Sequence, residues 1–327
     1  MLQTSRIAIL GAGSWGTAVA VHLAAFGHHV RLWGRDAKQI KSMKEKKSNE
    51  RYLPGVRFPE TLIPTTKLTD CFDAEHIIVA IPSHTFRQIL EELPKNLHGL
   101  TWITKGIDPQ TNHFLSQLVF DYFYPDFPIA IVSGPSFAKE VARHLPTALV
   151  IASNSMDYAQ IIRDIFQKTT IRSYLSNDII GVQLCGAMKN VLAIACGISD
   201  GLAYGANAKA ALITRGLSEM TRLGLVFGAE ISTFSGLAGV GDLVLTCTDD
   251  QSRNRRFGLL LGQGVSISEA EQQIGQVVEG KYNAAQVHAL ATAHQVELPI
   301  CTQVHLILQG HHSAKEGATQ LMTRPLL

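Results

Sequence analysis

Lys189 and Asn190 stand inside GVQLCGAMKNVLAIACGI, an otherwise apolar run with helical spacing. Lysine is almost never fully buried without a partner. Held out of water near other cations, its pKa falls toward neutrality, which suits proton transfer. The plainer reading is a side chain that snorkels to the surface. A partner is available downstream in Gly236-Leu237-Ala238-Gly239-Val240-Gly241-Asp242-Leu243. Asp242 there is either the N-cap of a helix or a carboxylate facing Lys189. Thr246, one helical turn on, shares its face. Lys105 follows the apolar run TWIT, where a cation can meet a phosphate or a reacting oxygen. Gly134 and Ser136, in SGPSFA after PIAIV, offer an N–H and a hydroxyl, or form an ordinary strand–helix turn with Ser136 as its cap. Ser252-Arg253-Asn254 opens another helical stretch. A helix start carrying an arginine suits a phosphate, and a solvated basic turn reads the same way.

These groups move protons and hold anions. The group that moves electrons is announced by Gly11-Ala12-Gly13-Ser14-Trp15-Gly16, which follows an apolar strand and opens a helix. This is the dinucleotide fingerprint in its required context. Its glycines allow the tight turn, the close approach of a pyrophosphate and close helix–strand packing. The second strand ends in Trp33-Gly34-Arg35-Asp36. An acidic residue near this point bonds the ribose 2′-hydroxyl of NAD, whereas an arginine suits the 2′-phosphate of NADP. Arg35 tilts the expectation to NADP. Asp36 keeps NAD open, since it can cap the next helix or bond a ribose.

The elements that must position these groups change character along the chain. At about 150 residues per domain, 327 residues suggest two domains. In the first half, strand-like runs at 6–10, 29–33, 76–81, 101–104, 128–132 and 147–152 alternate with helical stretches at 14–26, 84–92, 112–124 and 155–167. That pattern predicts an α/β unit with a mainly parallel sheet covered on both faces. Residues 44–66, polar with three prolines, read as a long surface loop. From Asn177 on, helical stretches at 178–198, 206–227, 252–263, 281–294 and 299–310 replace the strands, so the second domain is expected to be all-α. The boundary is placed between residues 1–177 and 178–327, with Ser176-Asn177-Asp178 as an N-cap cluster.

Composition excludes several classes. A content of 46% hydrophobic and only 17% charged residues is too apolar for a disordered chain. The net charge of +2, with basic residues scattered, leaves no nucleic-acid surface. The five cysteines have no CxxC or metal-type spacing, so reduced thiols and no metal site are expected; Cys185 or Cys196 as a nucleophile is the weaker reading. The His28-His29 and His311-His312 pairs read as surface residues. MLQTSRIAIL has neither a basic leader nor a cleavage site, and no uncharged apolar run is long enough to span a membrane.

The chain resembles the bacterial NAD(P)-dependent glycerol-3-phosphate dehydrogenases. The resemblance is carried, in order, by GAGSWGTAVA (11–20), TKGI (104–107), SGPSFAKEV (133–141), GAMKNVLAIACGISDGLAYGANAKAALITRGLSEM (186–220), GLAGVGDLVLTCT (236–248), SRNRRFG (252–258) and VVEGKYNA (277–284). It implies an N-terminal Rossmann-type doubly wound parallel sheet and an all-α C-terminal domain similar to that of 6-phosphogluconate dehydrogenase. The implied reaction is the reversible reduction of dihydroxyacetone phosphate by NAD(P)H to sn-glycerol 3-phosphate, for phospholipid synthesis. The implied acid–base residue is Lys189, with Asp242 and Lys105 beside it. Gly134, Ser136, Asn190, Thr246, Ser252, Arg253 and Asn254 would complete the substrate site. Gly11, Gly13, Ser14, Trp15, Gly16, Arg35, Lys105, Ala138, Arg253, Val277 and Glu279 would line the cofactor, NADP(H) or NAD(H). A cytoplasmic homodimer, without membrane insertion or nucleic acid, is the expected setting. Two other readings remain. One is a related two-domain dehydrogenase of a 3-hydroxy acid or sugar phosphate. The other is an NADPH-binding sensor without activity, which would have no reason to keep Lys189, Asp242 and Arg253 together.

Overall fold

The computed structural model describes residues 4–167 and 169–323, so the first three residues of MLQTSRIAIL lie outside the described residues. The chain divides into two compact units. One is the chain up to Thr104 together with Leu115–Ile179; the other is Lys105–Phe114 together with the chain from Ile180 onward. The second unit therefore takes back a segment, 105–114, that precedes most of it in sequence.

The strands of the first unit are β1 (Arg6–Leu10), β2 (His29–Trp33), β3 (Ser48–Asn49), β4 (Leu53–Arg57), β5 (Leu62–Thr65), β6 (His76–Val79), β7 (Leu100–Trp102), β8 (Ile129–Ser133), β9 (Thr147–Ser153) and β10 (Ile171–Ser176). Among the described residues, eight of them form one sheet in the order β10-β9-β8-β7-β6-β1-β2-β5. It is parallel except where β8 pairs antiparallel with β9. Helices α1 (Ser14–Ala25), α2 (Ala37–Lys46), α3 (Phe86–Glu92), α4 (Leu115–Tyr122), α5 (Ala138–Ala142) and α6 (Met156–Phe166) connect the strands. The inner strands are mostly apolar, as expected of a sheet covered on both faces: every residue of β8 is buried, and all but the first of β1. Each Ile, Leu or Val so buried contributes about 1.5–3 kcal/mol.

Chain order reverses between β1 and its neighbours β2 and β6, which is where such sheets bind ligands. The register aligns Leu10 with Trp33 on one side and with Val79 on the other. Gly11, Gly34 and Ala80 therefore leave the sheet at one level, and the loops that follow share one edge.

The segment 44–66 is not the loop that its composition suggests. It holds the end of α2, the β3–β4 hairpin and the edge strand β5. Its prolines are tolerated where ladder N–H groups are not needed: Pro54 lies in the two-stranded hairpin and Pro64 on the sheet edge. Strand β10 was also missed, since IRSYLS is half-exposed and sits at the opposite edge. His28 is a further correction. It is buried, its Nδ1 accepts from the Ser5 N–H at 3.2 Å, and its Nε2 lies 3.1 Å from the Ile165 carbonyl.

The second unit is helical: α7 (Ile179–Gly201), α8 (Gly205–Val226), α9 (Ile231–Ser235), α10 (Asp242–Thr248), α11 (Arg253–Gly262), α12 (Ile267–Ile274), α13 (Glu279–Ala293), α14 (Pro299–Leu308) and α15 (Ala314–Met322). Helix α7 is long and apolar enough to cross a membrane, yet its most apolar window is 89% buried inside the protein, as befits a central core helix. Helix α11 packs against it backbone to backbone. A Cβ at Gly197 would collide with the Arg255 carbonyl, and one at Gly258 with the Ile194 carbonyl. Glycine on both helices thus fixes the start of α11 relative to Lys189. Asp200, near the end of α7, adds an ion pair to Arg255 at 2.5 Å. All five cysteines are buried free thiols.

Candidate active site

In the first unit, Gly11 turns the chain from β1 into α1 with φ +131°, a region that disfavours side chains. A Cβ there would also meet the Ala80 carbonyl. Gly13 is different: a Cβ would touch nothing within 4 Å, so its backbone faces open space. It is the N-cap of α1 and has no side chain to occupy the first N–H groups. Open space before a helix N-terminus suits a pyrophosphate. The Trp15 indole Nε1 is buried with no protein partner, a donor still to be satisfied. These features fit a dinucleotide.

The glycine loop is braced by residues that sequence reading passed over. The Asn49 amide, 1% exposed, donates to the Ala12 carbonyl at 3.0 Å and to Thr17 Oγ1 at 2.8 Å. Gln39 Nε2 donates to the same carbonyl at 2.7 Å, and Ser14 Oγ donates to the Tyr52 carbonyl at 2.7 Å. Nothing in the polar stretch around Asn49 singles it out; only the folded hairpin does. At the end of β2, Arg35 is exposed, and Asp36 caps α2 by accepting from the N–H groups of Lys38 and Gln39. After β8, Gly134 has φ +133°, and Ser136 Oγ donates to its carbonyl at 2.9 Å. Ser136 is therefore not the cap of α5; that position is Phe137, just before Ala138.

In the second unit, Asp242 is the centre. Its neighbour Gly241 occupies the N-cap position, which frees the Asp242 carboxylate from capping. Lys105 Nζ lies 2.6 Å from Asp242 Oδ2, and Lys189 Nζ bonds Oδ1. Lys189 also donates to Thr246 Oγ1 at 3.1 Å, and that hydroxyl donates to the Asp242 carbonyl at 2.6 Å. A π-helical turn over Leu237–Gly241 precedes α10 and delivers this geometry; such turns cluster at functional sites. Asp242 is 1% and Lys189 6% exposed.

Two ammonium groups thus share one carboxylate out of water. Burial would raise the Asp242 pKa, but Lys105 and Lys189 outweigh it and hold the carboxyl below its usual value. For Lys189, burial lowers the pKa, Asp242 opposes and Lys105 lowers it again, leaving it at about 7.

A second network starts at the next residue. Asn254 Nδ2 donates to Asn190 Oδ1 at 2.9 Å, and Asn254 Oδ1 accepts from the Gly280 N–H at 2.9 Å. Asn190 Nδ2 reaches Glu279 Oε2 at 3.5 Å. Ser252 caps α11 by accepting from the Arg255 N–H, and Arg253 donates to Gln276 Oε1 at 3.2 Å. Val277 is exposed on the same stretch. The structure thus gathers Lys105, Lys189, Asn190, Asp242, Thr246, Arg253, Asn254 and Glu279 in the second unit. Gly11, Gly13, Ser14, Trp15, Gly16, Arg35, Gly134, Ser136 and Ala138 belong to the first. Cys185 and Cys196 are sealed in the core, unsuited to nucleophilic work.

A buried lysine held near neutrality is suited to moving protons but not electrons, and the glycine loop of the first unit has the geometry that suits a dinucleotide able to move them. The protein is an NAD(P)-dependent oxidoreductase of the two-domain dehydrogenase class. Comparison with known proteins narrows this. Residues 6–159 match the family model described as NAD-dependent glycerol-3-phosphate dehydrogenase N-terminus, and residues 178–319 match that of its C-terminus. The chain is 62% identical over 325 residues, 99% of each chain, to glycerol-3-phosphate dehydrogenase [NAD(P)+] of Legionella pneumophila. It is 51% identical over 322 residues, 97% of each, to the enzyme of that name from Thioalkalivibrio sulfidiphilus. The crystal structure of glycerol-3-phosphate dehydrogenase from Coxiella burnetii superposes with a TM-score of 0.95 at 46% identity, over 98% of this chain and 99% of that one. The chain belongs to the NAD-dependent glycerol-3-phosphate dehydrogenase family.

Proposed function

We propose that the enzyme interconverts dihydroxyacetone phosphate and sn-glycerol 3-phosphate with NADPH or NADH, supplying glycerol phosphate for phospholipid synthesis. The observation that carries this reading is the buried Lys105–Asp242–Lys189 cluster: two cations on one carboxylate, with net positive charge where a ketone oxygen becomes an alkoxide.

When bound, a nicotinamide would supply hydride chemistry in both directions. The chain supplies the rest. Protonated Lys189 polarises the carbonyl oxygen and gives it a proton as charge develops there. In the reverse direction, neutral Lys189 takes the hydroxyl proton. Asp242 aims both ammonium groups, and Thr246 fixes Lys189 from the other side. Lys105, less buried than Lys189, meets substrate and cofactor. Arg253, at the start of the ten-residue helix α11, binds the phosphate with Ser252 and Asn254. The Asn190–Asn254–Gly280 chain ties that phosphate end to the residue beside Lys189. Gly134 and Ser136 contribute an N–H and a hydroxyl. Gly11, Gly13, Ser14, Trp15, Gly16, Arg35, Ala138, Val277 and Glu279 hold the cofactor, with residues 1–177, apart from 105–114, as the dinucleotide-binding domain and 178–327, together with 105–114, as the catalytic one.

Purified protein is expected to oxidise NADPH and NADH when given dihydroxyacetone phosphate. Reduction needs protonated Lys189, so its kcat/KM falls as pH rises through about 7; oxidation needs the neutral amine and climbs over the same range. Absence of turnover in folded protein that still binds NADPH would reduce the reading to a shared fold. Opposite pH slopes missing from otherwise normal turnover would remove Lys189 from the proton step.

The setting proposed is a cytoplasmic homodimer that is not inserted in a membrane. Five free thiols suit a reducing compartment. Leu225, Val226, Ile231 and Val244 are large apolar side chains exposed on the helical unit, which a second copy would remove from water. Light scattering is expected to give twice 35.6 kDa; the monomer mass would overturn the dimer.

A further inference from the structure

The β3–β4 hairpin brings a second arginine to the end of β2. Asp36 stands where an acidic residue would bond the ribose 2′-hydroxyl of NAD, but both of its oxygens are already engaged. Oδ1 accepts from the N–H groups of Lys38 and Gln39 at 3.0 and 3.1 Å. Oδ2 is paired with Arg51 Nη1 at 3.1 Å. The residue before Asp36 is Arg35, exposed at the end of β2, so two arginines and one committed carboxylate belong to this corner of the sheet edge.

Arg51 is no stray surface charge. Asn49, two residues before it, is tied to Ala12 of the glycine loop and Thr17 of α1, and Tyr52, the residue after it, to Ser14. Its guanidinium lies 5.1 Å from the centre of the Tyr52 ring, a cation–π contact. The backbone that carries Arg51 is therefore fixed to the loop that cradles the pyrophosphate. Its side chain stays 61% exposed and open to a ligand. A planar, always-charged fork suits a phosphate dianion and gains little from a neutral hydroxyl.

We propose that Arg51 reads the 2′-phosphate of NADP(H) together with Arg35, and that Asp36 holds Arg51 in place rather than bonding the ribose. This rests on the dinucleotide reading of the first unit and deepens it. Arg51 makes the site selective for the phosphorylated cofactor, and Asp36 limits that selectivity, so that NADH is still accepted.

The test uses the full-length protein and two fragments, 2′,5′-ADP and 5′-AMP, with dissociation constants measured by calorimetry, so that turnover is not the only readout. Arg51→Gln is expected to weaken 2′,5′-ADP about tenfold while 5′-AMP changes less than twofold, a loss of the size expected for a charge-assisted contact. The NADPH/NADH ratio of kcat/KM should fall by the same factor. Arg35→Gln is the reference arm. If Arg35→Gln abolishes the discrimination and Arg51→Gln leaves it intact, the proposal fails and the cofactor reading stands. If Arg51→Gln weakens both fragments equally, the hairpin only braces the glycine loop, and the proposal fails in a different way. If the unaltered protein binds neither fragment, the dinucleotide reading itself falls.

Discussion

Lys189→Met is expected to lower kcat by about 10³-fold or more, with the dissociation constant of NADPH changed less than threefold. The loss combines the proton transfer, typically 10²–10⁴-fold, with one charge at the developing alkoxide. Methionine keeps the unbranched stem out to Cε, with sulfur in place of Cδ, and removes the ammonium. The fold should not suffer. Without Lys189 the Asp242 carboxylate still has Lys105 at 2.6 Å, so no buried charge is stranded. Protonation of Lys189 is disfavoured in the folded protein, where its pKa is about 7, relative to the unfolded chain, where it is that of ordinary lysine. That penalty is full below about pH 7 and fades as pH rises toward the unfolded value. Methionine removes it, so the melting temperature at pH 7 is expected to hold or to rise. Steady-state kinetics and a thermal melt decide the matter together. Unimpaired turnover would dismiss Lys189 as the acid–base group. A melting temperature lower by more than about 5 °C would assign any loss to unfolding instead.

Lys189 was legible because a lone cation in an apolar helix violates the usual partition between core and surface, and a violation of that kind needs a cause. The glycine fingerprint was legible because backbone geometry at Gly11 and open space at Gly13 demand that residue type. Asp242 was legible only as two alternatives. Capping and ion pairing favour the same residue at the same place, and it took Gly241 in the cap position to separate them. Asn49 and Arg51 were not legible at all. They sit in a polar, proline-containing stretch whose local pattern predicts a loop, and their partners are distant in sequence: Ala12, Thr17 and Asp36. The grouping of Lys105 with Lys189 and Asp242 came from the family resemblance and was hidden from the local pattern for a similar reason. It follows a strand of the α/β half, yet residues 105–114 pack into the helical unit, with Ile107 and Phe114 in its core. Periodicity reports which face of an element is buried, but not which unit a connection joins.

Asp242→Asn is expected to be the most damaging single exchange in the protein, for function and stability alike. It removes one charge, as Lys189→Met does, but the wrong one. Lys189 and Lys105 are left facing each other without a counter-ion, where Lys189 is 6% exposed. Breaking a buried ion pair from one side costs about 3–5 kcal/mol, because an uncompensated charge stays inside. The protein relieves part of that cost by deprotonating Lys189: burial and Lys105 both lower its pKa, and only Asp242 opposed them. At pH 7 the variant should therefore carry a neutral Lys189 and lose reduction of dihydroxyacetone phosphate more severely than oxidation of glycerol 3-phosphate. The sign for stability follows from the Asp242 carboxyl, whose folded pKa lies below its unfolded value. Its contribution is present above the unfolded value and lost as pH falls through the folded one, so the difference between parent and variant should shrink in strong acid. Denaturant melts at pH 7 and near pH 3, beside the double variant Lys189→Met/Asp242→Asn, give the test. If the pair is coupled as the geometry requires, Lys189→Met restores more stability in the Asp242→Asn protein than it adds to the parent, because there it removes one of two stranded cations. A double variant that is merely the sum of the two single ones would mean that the buried cluster does not act as a unit.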